Sequence, residues 1–204
     1  MYKLPYFTET DNNKIFSFIE ENALATVIGT GVEFPVASHL TLQMENDGDK
    51  LFLKGHMMRK TDHHRAFEKN QNVLVIFNSV PAYINAAWTQ NPATASTVNY
   101  MSVHIKGKII FSDEEGTMAA IKNITDKYIG TNNEASFDKI DKSYIDENIK
   151  AIVGFKIEVV EMYATFKLSQ NKTIVEQENI IKNLEERNNF GDAFIAQKMR
   201  QNLK

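Results

Sequence analysis

The sequence predicts an α+β protein: a mainly antiparallel β-barrel with added helices. Three observations support this fold class. Several short segments carry strand patterns, turn signals separate them, and they follow one another without regular βαβ alternation. We find no internal repeat or linker in the 204 residues. We therefore expect a single domain, with the barrel over residues 1–172 and a helical tail over residues 173–204.

The N-terminal half of the chain carries helix and strand signals in a clear order. Side-chain oxygens at residues 8–11 precede apolar residues at helical spacing, which predicts a helix ending near residue 22. Aliphatic and β-branched residues then predict strands over 24–30 and 36–45, and a turn at 46–49 predicts a hairpin. A short helix over 60–70 and a strand over 73–77, buried on both faces, should follow.

The C-terminal half begins with two further predicted strands, over residues 82–88 and 98–111. The second alternates between an apolar face and a polar face; the apolar face holds Met101, Val103, Ile105 and Ile109, and the polar face holds Tyr100, Ser102, His104, Lys106 and Lys108. A capped helix to about residue 128 and a short helix over 143–150 come next. Residues 152–167 predict a strand or strand pair, and the tail predicts helices interrupted at Gly191.

Composition excludes several classes of function. With 23 Lys+Arg against 26 Asp+Glu, the net charge of −3 gives no electrostatic footprint for nucleic acid. The absence of cysteine excludes disulfides, Cys-ligated zinc, iron–sulfur clusters and thiol nucleophiles. Residues 1–6 lack the apolar core of a secretory signal, and no apolar stretch is long enough to span a membrane. These observations favour a cytoplasmic globular protein.

Candidate chemistry is sparse in the residues themselves. His56, His63 and His64 lie near Asp62 and could ligate a metal, but no pair has the i, i+4 spacing, and an exposed helix start explains the cluster better. We therefore expect no metal site. No nucleophile elbow or paired-carboxylate motif stands out, so catalytic residues stay unknown.

The segment over residues 54–61 predicts a phosphate site. A glycine, the adjacent cations Arg59 and Lys60, and a helix start offer a guanidinium fork and free backbone N–H groups. The alternative is a solvated Arg-Lys pair. Asn99 and the polar strand face could hydrogen-bond a planar ligand, or that face could simply meet water. The residues alone therefore indicate a β-barrel protein that can hold a phosphorylated ligand.

Several strings, taken together, resemble the PaiB-like, FMN-binding negative transcriptional regulator family, and they follow the family's order over nearly the whole chain. They are Val80-Pro81-Ala82-Tyr83-Ile84 with Trp88, Asn99-Tyr100 with Val103-His104 and Gly107, Lys150-Ala151-Ile152-Val153-Gly154, and Lys167-Leu168-Ser169-Gln170-Asn171. The opening Pro5-Tyr6-Phe7 and the steps Ser38-His39-Leu40 and Gly55-His56 are also similar to the family.

This resemblance implies a split β-barrel of the pyridoxamine-phosphate-oxidase type, a homodimer that binds FMN at the subunit interface. The implied contacts fall into four groups: His56, Arg59 and Lys60 at the phosphate; Ser38, His39 and Leu40 beside the isoalloxazine ring; Asn99, Tyr100 and Ser102 from the long strand; and Lys167 and Gln170 from the late segment. The chain departs from the family where Val98 replaces an aromatic residue before Asn99 and where Lys60-Thr61-Asp62 follows Arg59. These departures imply a differently tuned flavin affinity.

The resemblance leaves three functions open. The chain is expected to be a flavin-dependent oxidoreductase of unknown substrate or a flavin-dependent regulator acting through a protein partner. The alternative is a split barrel without flavin that binds haem or another phosphorylated small molecule. The sequence contains nothing like a helix-turn-helix with a basic recognition helix, which argues against direct DNA binding.

Overall fold

A computed structural model describes residues 4–203, so the inferences on residues 1–3 and on residue 204 lie outside the described residues. The strands are β1 (Thr8–Glu9), β2 (Leu24–Gly29), β3 (Val36–Thr41), β4 (Gln43–Asp47), β5 (Lys50–Met58), β6 (Asn72–Asn78), β7 (Ala82–Ile84), β8 (Thr97–Phe111) and β9 (Ile152–Lys167). The α-helices are α1 (Asn12–Glu21), α2 (Asp62–Lys69), α3 (Glu114–Ile129), α4 (Lys142–Asn148), α5 (Ile174–Arg187) and α6 (Asp192–Asn202). Short 3-10 helices include Pro5–Phe7 and Ala86–Trp88.

The strands form an antiparallel sheet in the order β3-β2-β6-β8-β9-β5-β4, with β1 on β9 and β7 on β8. In the β4–β5 hairpin, Asp47 pairs with Lys50 across a two-residue turn in which Gly48 has a φ of 60°. A left-handed φ at this turn suits glycine because it has no Cβ. The turn expected at residues 46–49 is confirmed.

The chain divides into two compact units. The terminal unit comprises the described residues up to Ile15, Asn78–His104 and the residues from Tyr163 onward. The central unit comprises Phe16–Phe77 and Ile105–Met162. Each of the long strands β8 and β9 contributes residues to both units.

Each unit has its own apolar core. In the central unit the fully buried side chains include Leu53, Phe67, Phe77, Phe155 and Ile157. In the terminal unit they include Ile180, Ile181, Leu184, Ile195 and Met199, which come from helices α5 and α6. The helical pattern in the tail therefore arises from burial of one face of each helix.

Helix starts follow the capping signals of the sequence. The Asp113 carboxylate accepts a hydrogen bond from Gly116 N at 2.9 Å at the start of α3. Thr173 and Glu176 form a reciprocal capping box at the start of α5. The break expected near Gly191 spans residues 188–191: Asn188, with a φ of 49°, ends α5, and Gly191, with a φ of 92°, precedes α6.

Three strand predictions need correction. The segment 82–88 is a strand only to Ile84, because the Asn85 side chain caps a 3-10 helix by accepting from Ala87 N. The segment 36–45 is interrupted at Leu42, because the residues before it pair with β2 and those after it pair with β5. The segment 73–77 is buried on one face only, and Leu74 and Ile76 on the other face are half-exposed. Its run of apolar residues is typical of a parallel strand, but this strand lies in an antiparallel sheet.

Candidate functional site

The β5–α2 corner, residues 59–61, is the candidate anion site of the central unit. Arg59 is fixed beside β9: its backbone N–H donates to Ala151 O and its side-chain Nε donates to Ile152 O, each at 2.8 Å. Among the described residues, the two terminal nitrogens of this guanidinium have no hydrogen-bond partner. They are the pair that chelates phosphate oxygens in proteins.

The rest of the corner follows from the turn into α2. Lys60 is exposed and has a φ of 63°, and Thr61 caps the helix by accepting from His64 N at 3.3 Å. The exposed Asp62 carboxylate adds a negative charge, and its pKa is lowered mainly by the hydrogen bond from His63 N. The corner thus presents two cations and a partly neutralising carboxylate.

His56 lies on β5 before the corner. Its Nδ1 is buried and has no hydrogen-bond partner in the described part of the chain. Burial lowers the pKa of His56, so the ring is neutral at pH 7. An unpartnered polar atom of this kind is suited to a ligand group.

Gly55 was expected at the end of a strand, where a glycine lets a phosphate approach closely. It instead lies within β5. A Cβ there would lie 2.8 Å from a methyl group of Leu42 and 2.9 Å from the ring of Phe155. The glycine therefore permits close packing in the core of the central unit.

Ser38, His39 and Leu40 occupy β3, at one end of the strand order. The exposed His39 ring nitrogen Nδ1 lies 3.1 Å from the Thr26 hydroxyl, and Ser38 and Leu40 are half-buried. Strand β3 contacts both β5 and α2. In the central unit, β3 therefore packs against β5 and α2, the two elements on either side of the β5–α2 corner.

The remaining predicted residues belong to the terminal unit. Asn99 is fully buried on β8, where its Nδ2 lies 2.9 Å from Ser169 Oγ and 3.5 Å from Met199 Sδ. Ser102 is also buried, and Tyr100 is half-buried. Asn99 therefore stabilises the junction between β8 and the segment after β9.

The segment after β9 is a tight turn stabilised by its own side chains. Gln170 donates to Phe166 O and accepts from Leu168 N, while Ser169 adopts a φ of 63°. Leu168 is buried. Lys167, at the end of β9, donates to the Thr97 hydroxyl and lies 5.9 Å from the centroid of the Phe7 ring.

Lys167 and Asn99 also line a cavity of about 280 Å³ in the terminal unit. Sequence reasoning missed the other polar side chains in its wall, among them Thr97, Ser169 and Lys172. Ser169 and Lys172 lie in or beside the Lys-Leu-Ser-Gln-Asn string, but a linear string does not reveal which of its side chains share a wall.

Residues 4–203 contain no group of three or more histidine, aspartate or glutamate side chains arranged to hold a metal ion. No helix in the same part of the chain is long and apolar enough to cross a membrane.

Comparison with known proteins assigns the family. A family model described as "Putative FMN-binding domain" matches residues 1–161. The chain is also 32% identical over 205 residues to the Bacillus subtilis "Protease synthase and sporulation protein PAI 2", across 100% of this chain and 99% of that protein. The chain belongs to this flavin-binding family. The resemblance seen in the sequence motifs is confirmed.

Two solved structures share the fold. The flavocytochrome Anf3 from Azotobacter vinelandii superposes with a TM-score of 0.64 and 16% identity, over 81% of this chain and 72% of that one. A FAD- and haem-binding protein from Mycobacterium smegmatis gives a TM-score of 0.60 and 15% identity, over 78% and 73%. The predicted fold class, an antiparallel α+β split barrel, is confirmed.

Proposed function

We propose that the chain binds FMN and holds the FMN phosphate at the β5–α2 corner. The observation that carries the proposal is the Arg59 guanidinium, whose Nε is held by Ile152 O while its terminal nitrogens stay available. Such a fixed fork binds a phosphate dianion with little loss of side-chain entropy. Family membership supports flavin as the ligand.

The other central-unit residues fit this ligand. Exposed Lys60 adds charge for the phosphate, and buried His56 Nδ1 offers an unpartnered polar atom. Strand β3, which contacts β5, carries Ser38, His39 and Leu40. These side chains supply polar and apolar surface for the isoalloxazine ring. Bound FMN supplies reversible redox chemistry, and the protein contributes binding, orientation and electrostatics.

The proposal includes a homodimer in the cytoplasm and leaves the physiological reaction open between two roles. One is an oxidoreductase acting on a small molecule; the other is a regulator acting through a protein partner. Oxidation of NADH or NADPH by the FMN-loaded protein would favour the first role. The flavin contacts expected of Asn99, Tyr100, Ser102, Lys167 and Gln170, and the single-domain organisation, stay predictions.

Replacement of Arg59 tests the phosphate assignment. Arg59→Ala should weaken FMN binding by about 10- to 100-fold, which corresponds to the loss of charge-assisted hydrogen bonds. Titration of the apoprotein with FMN, followed by flavin fluorescence, measures the Kd. Riboflavin, which lacks the phosphate, should bind wild type and variant alike.

The matched control is Arg65→Ala, which removes an exposed arginine from the neighbouring helix α2. Its FMN affinity should equal that of the wild type. Unchanged FMN affinity in Arg59→Ala, or an equal loss of riboflavin binding, would move the phosphate to another site. A visible spectrum without flavin bands after FMN addition, and with a Soret band after haem addition, would favour the haem alternative instead.

A further inference from the structure

The cavity of the terminal unit has the character of a separate small-molecule site. Its volume of about 280 Å³ is slightly below the range of ~300–1,000 Å³ that is usual for ligand pockets. Buried Phe7, Ile84 and Ile180 provide its apolar wall. The polar side chains of its wall include those of Thr97, Asn99, Lys167, Ser169 and Lys172.

The charge of this wall is entirely positive. Lys167 and Lys172 line the cavity, and no aspartate or glutamate is among its lining residues. Within the described residues, Lys167 has no carboxylate within ion-pair distance; it donates to the Thr97 hydroxyl and lies near the ring of Phe7. Within residues 4–203, the Lys167 ammonium therefore has no counter-ion.

Glu176 follows Lys172 by four positions in the chain, and its carboxylate is already engaged. Its carboxylate accepts from Gln90 N at 3.1 Å and from Thr173 N at 3.0 Å. These hydrogen bonds lower the pKa of Glu176, to which the charge of Lys172 also contributes. The charge of Glu176 thus acts on Lys172, whereas Lys167 has no carboxylate partner among the described residues.

The hydroxyl of Thr97 adds a directed donor. Because its oxygen accepts from the Lys167 ammonium, its own O–H can donate to a group inside the cavity. A cation and a hydroxyl donor on adjacent strands form a receptor for one carboxylate group.

The walls around this pair are fixed. Asn99 and Ser169 hydrogen-bond each other at 2.9 Å, and the loop that carries Thr94 and Ala95 is tied where Ser96 Oγ accepts from Ala86 N at 3.0 Å. A preformed site loses less conformational entropy on binding than a mobile one.

We propose that this cavity binds a small organic carboxylate with an apolar body. Lys167 is its charge partner, Thr97 its hydrogen-bond donor, and Phe7, Ile84 and Ile180 contact the apolar part. The proposal does not rest on FMN binding. It gives Lys167 a ligand other than the flavin that the family resemblance implies.

Binding of 4-fluorobenzoate to the full chain tests the proposal by ¹⁹F NMR titration. The neutral analogue 4-fluorobenzyl alcohol has nearly the same shape and should bind at least tenfold more weakly. Lys167→Met, which keeps the length of the side chain, should weaken 4-fluorobenzoate binding at least tenfold, and Lys167→Arg should retain most of it. The matched control is Lys182→Met on α5, whose side chain is 72% exposed; it should bind like the wild type.

Equal binding of the alcohol, or an unchanged Kd in Lys167→Met, would overturn the proposal. The titration is repeated with saturating FMN to separate this site from the flavin. Retained 4-fluorobenzoate binding supports a distinct site. Competitive displacement by FMN would assign the cavity to the flavin and contradict the inference, whether or not FMN also binds at Arg59.

Discussion

His56 shows how one residue links burial to stability. Burial lowers its pKa below the ordinary value of about 6.5, and Nδ1 has no partner within residues 4–203 to stabilise a charged ring. The unfolded chain therefore binds this proton more tightly than the folded one. The contribution of His56 to the free energy of unfolding is therefore fully present above about pH 6.5, its pKa in the unfolded chain. This contribution is lost as the pH falls through the lower pKa of His56 in the folded protein. His104, whose pKa is also lowered by burial, acts in the same direction.

We therefore expect His56→Gln to flatten the pH dependence of stability in the apoprotein. The free energy of unfolding, measured by urea denaturation at several pH values between 7 and 5, should fall less steeply than in the wild type. His39→Gln, at an exposed position of β3, serves as the control and should keep the wild-type slope. The same slope in all three proteins would show that His56 is protonated equally in the folded and unfolded states.

Gly191 acts at the scale of an element, because it determines how α6 begins. Its φ of 92° lies in the left-handed region, and a Cβ there would lie 2.4 Å from Pro81 O. Both features disfavour any side chain. Gly191→Ala should destabilise the protein by about 3 kcal/mol, combining backbone strain with a steric clash.

The matched control is Gly48→Ala in the β4–β5 turn. Gly48 also has a positive φ, of 60°, but its Cβ would meet nothing within 4 Å. This variant should therefore lose only the backbone contribution, about 1 kcal/mol. Equal losses in the two variants, measured by urea unfolding, would show that the approach to Pro81 costs nothing.

Elements with local signals could be predicted from the sequence. Capping residues such as Asp113 and Thr173 act within one helical turn, and their helices form where expected. The end of β7 depends on an Asn85 cap that competes with strand pairing, so alternation alone could not locate it. The sequence also could not show that β6 has one half-exposed face, because burial depends on which elements pack over it.

The sequence indicated the β5–α2 corner but not the cavity of the terminal unit. Adjacent cations before a helix start located the β5–α2 corner, since all its groups are near neighbours in the chain. The cavity of the terminal unit was not predictable from spacing. Thr97 and Lys167 are 70 positions apart, and they meet because of strand pairing that no local pattern specifies.

At the scale of the whole molecule, the outer surface of the central unit favours association with a second copy. An open cleft of about 700 Å³ is lined partly by Val32, Phe34 and Val160, and these side chains are 91%, 77% and 61% exposed. Strands β3 and β4 end the strand order, and strands at such positions are available for pairing with another chain. Contiguous exposed apolar residues of this kind mark interaction surfaces.

We therefore expect the protein to elute as a homodimer, with twice the 23.3 kDa chain mass by light scattering at micromolar concentration. Val160→Lys should shift this equilibrium toward the monomer, because pairing would remove an ammonium group from water beside Val32 and Phe34. Tyr144→Lys introduces the same charge on α4 at a side chain that is 62% exposed, and it should leave the dimer intact. A wild-type mass of one chain would contradict the dimer. A dimer that persists in Val160→Lys would place the interface on another surface, since a lysine buried there would weaken association.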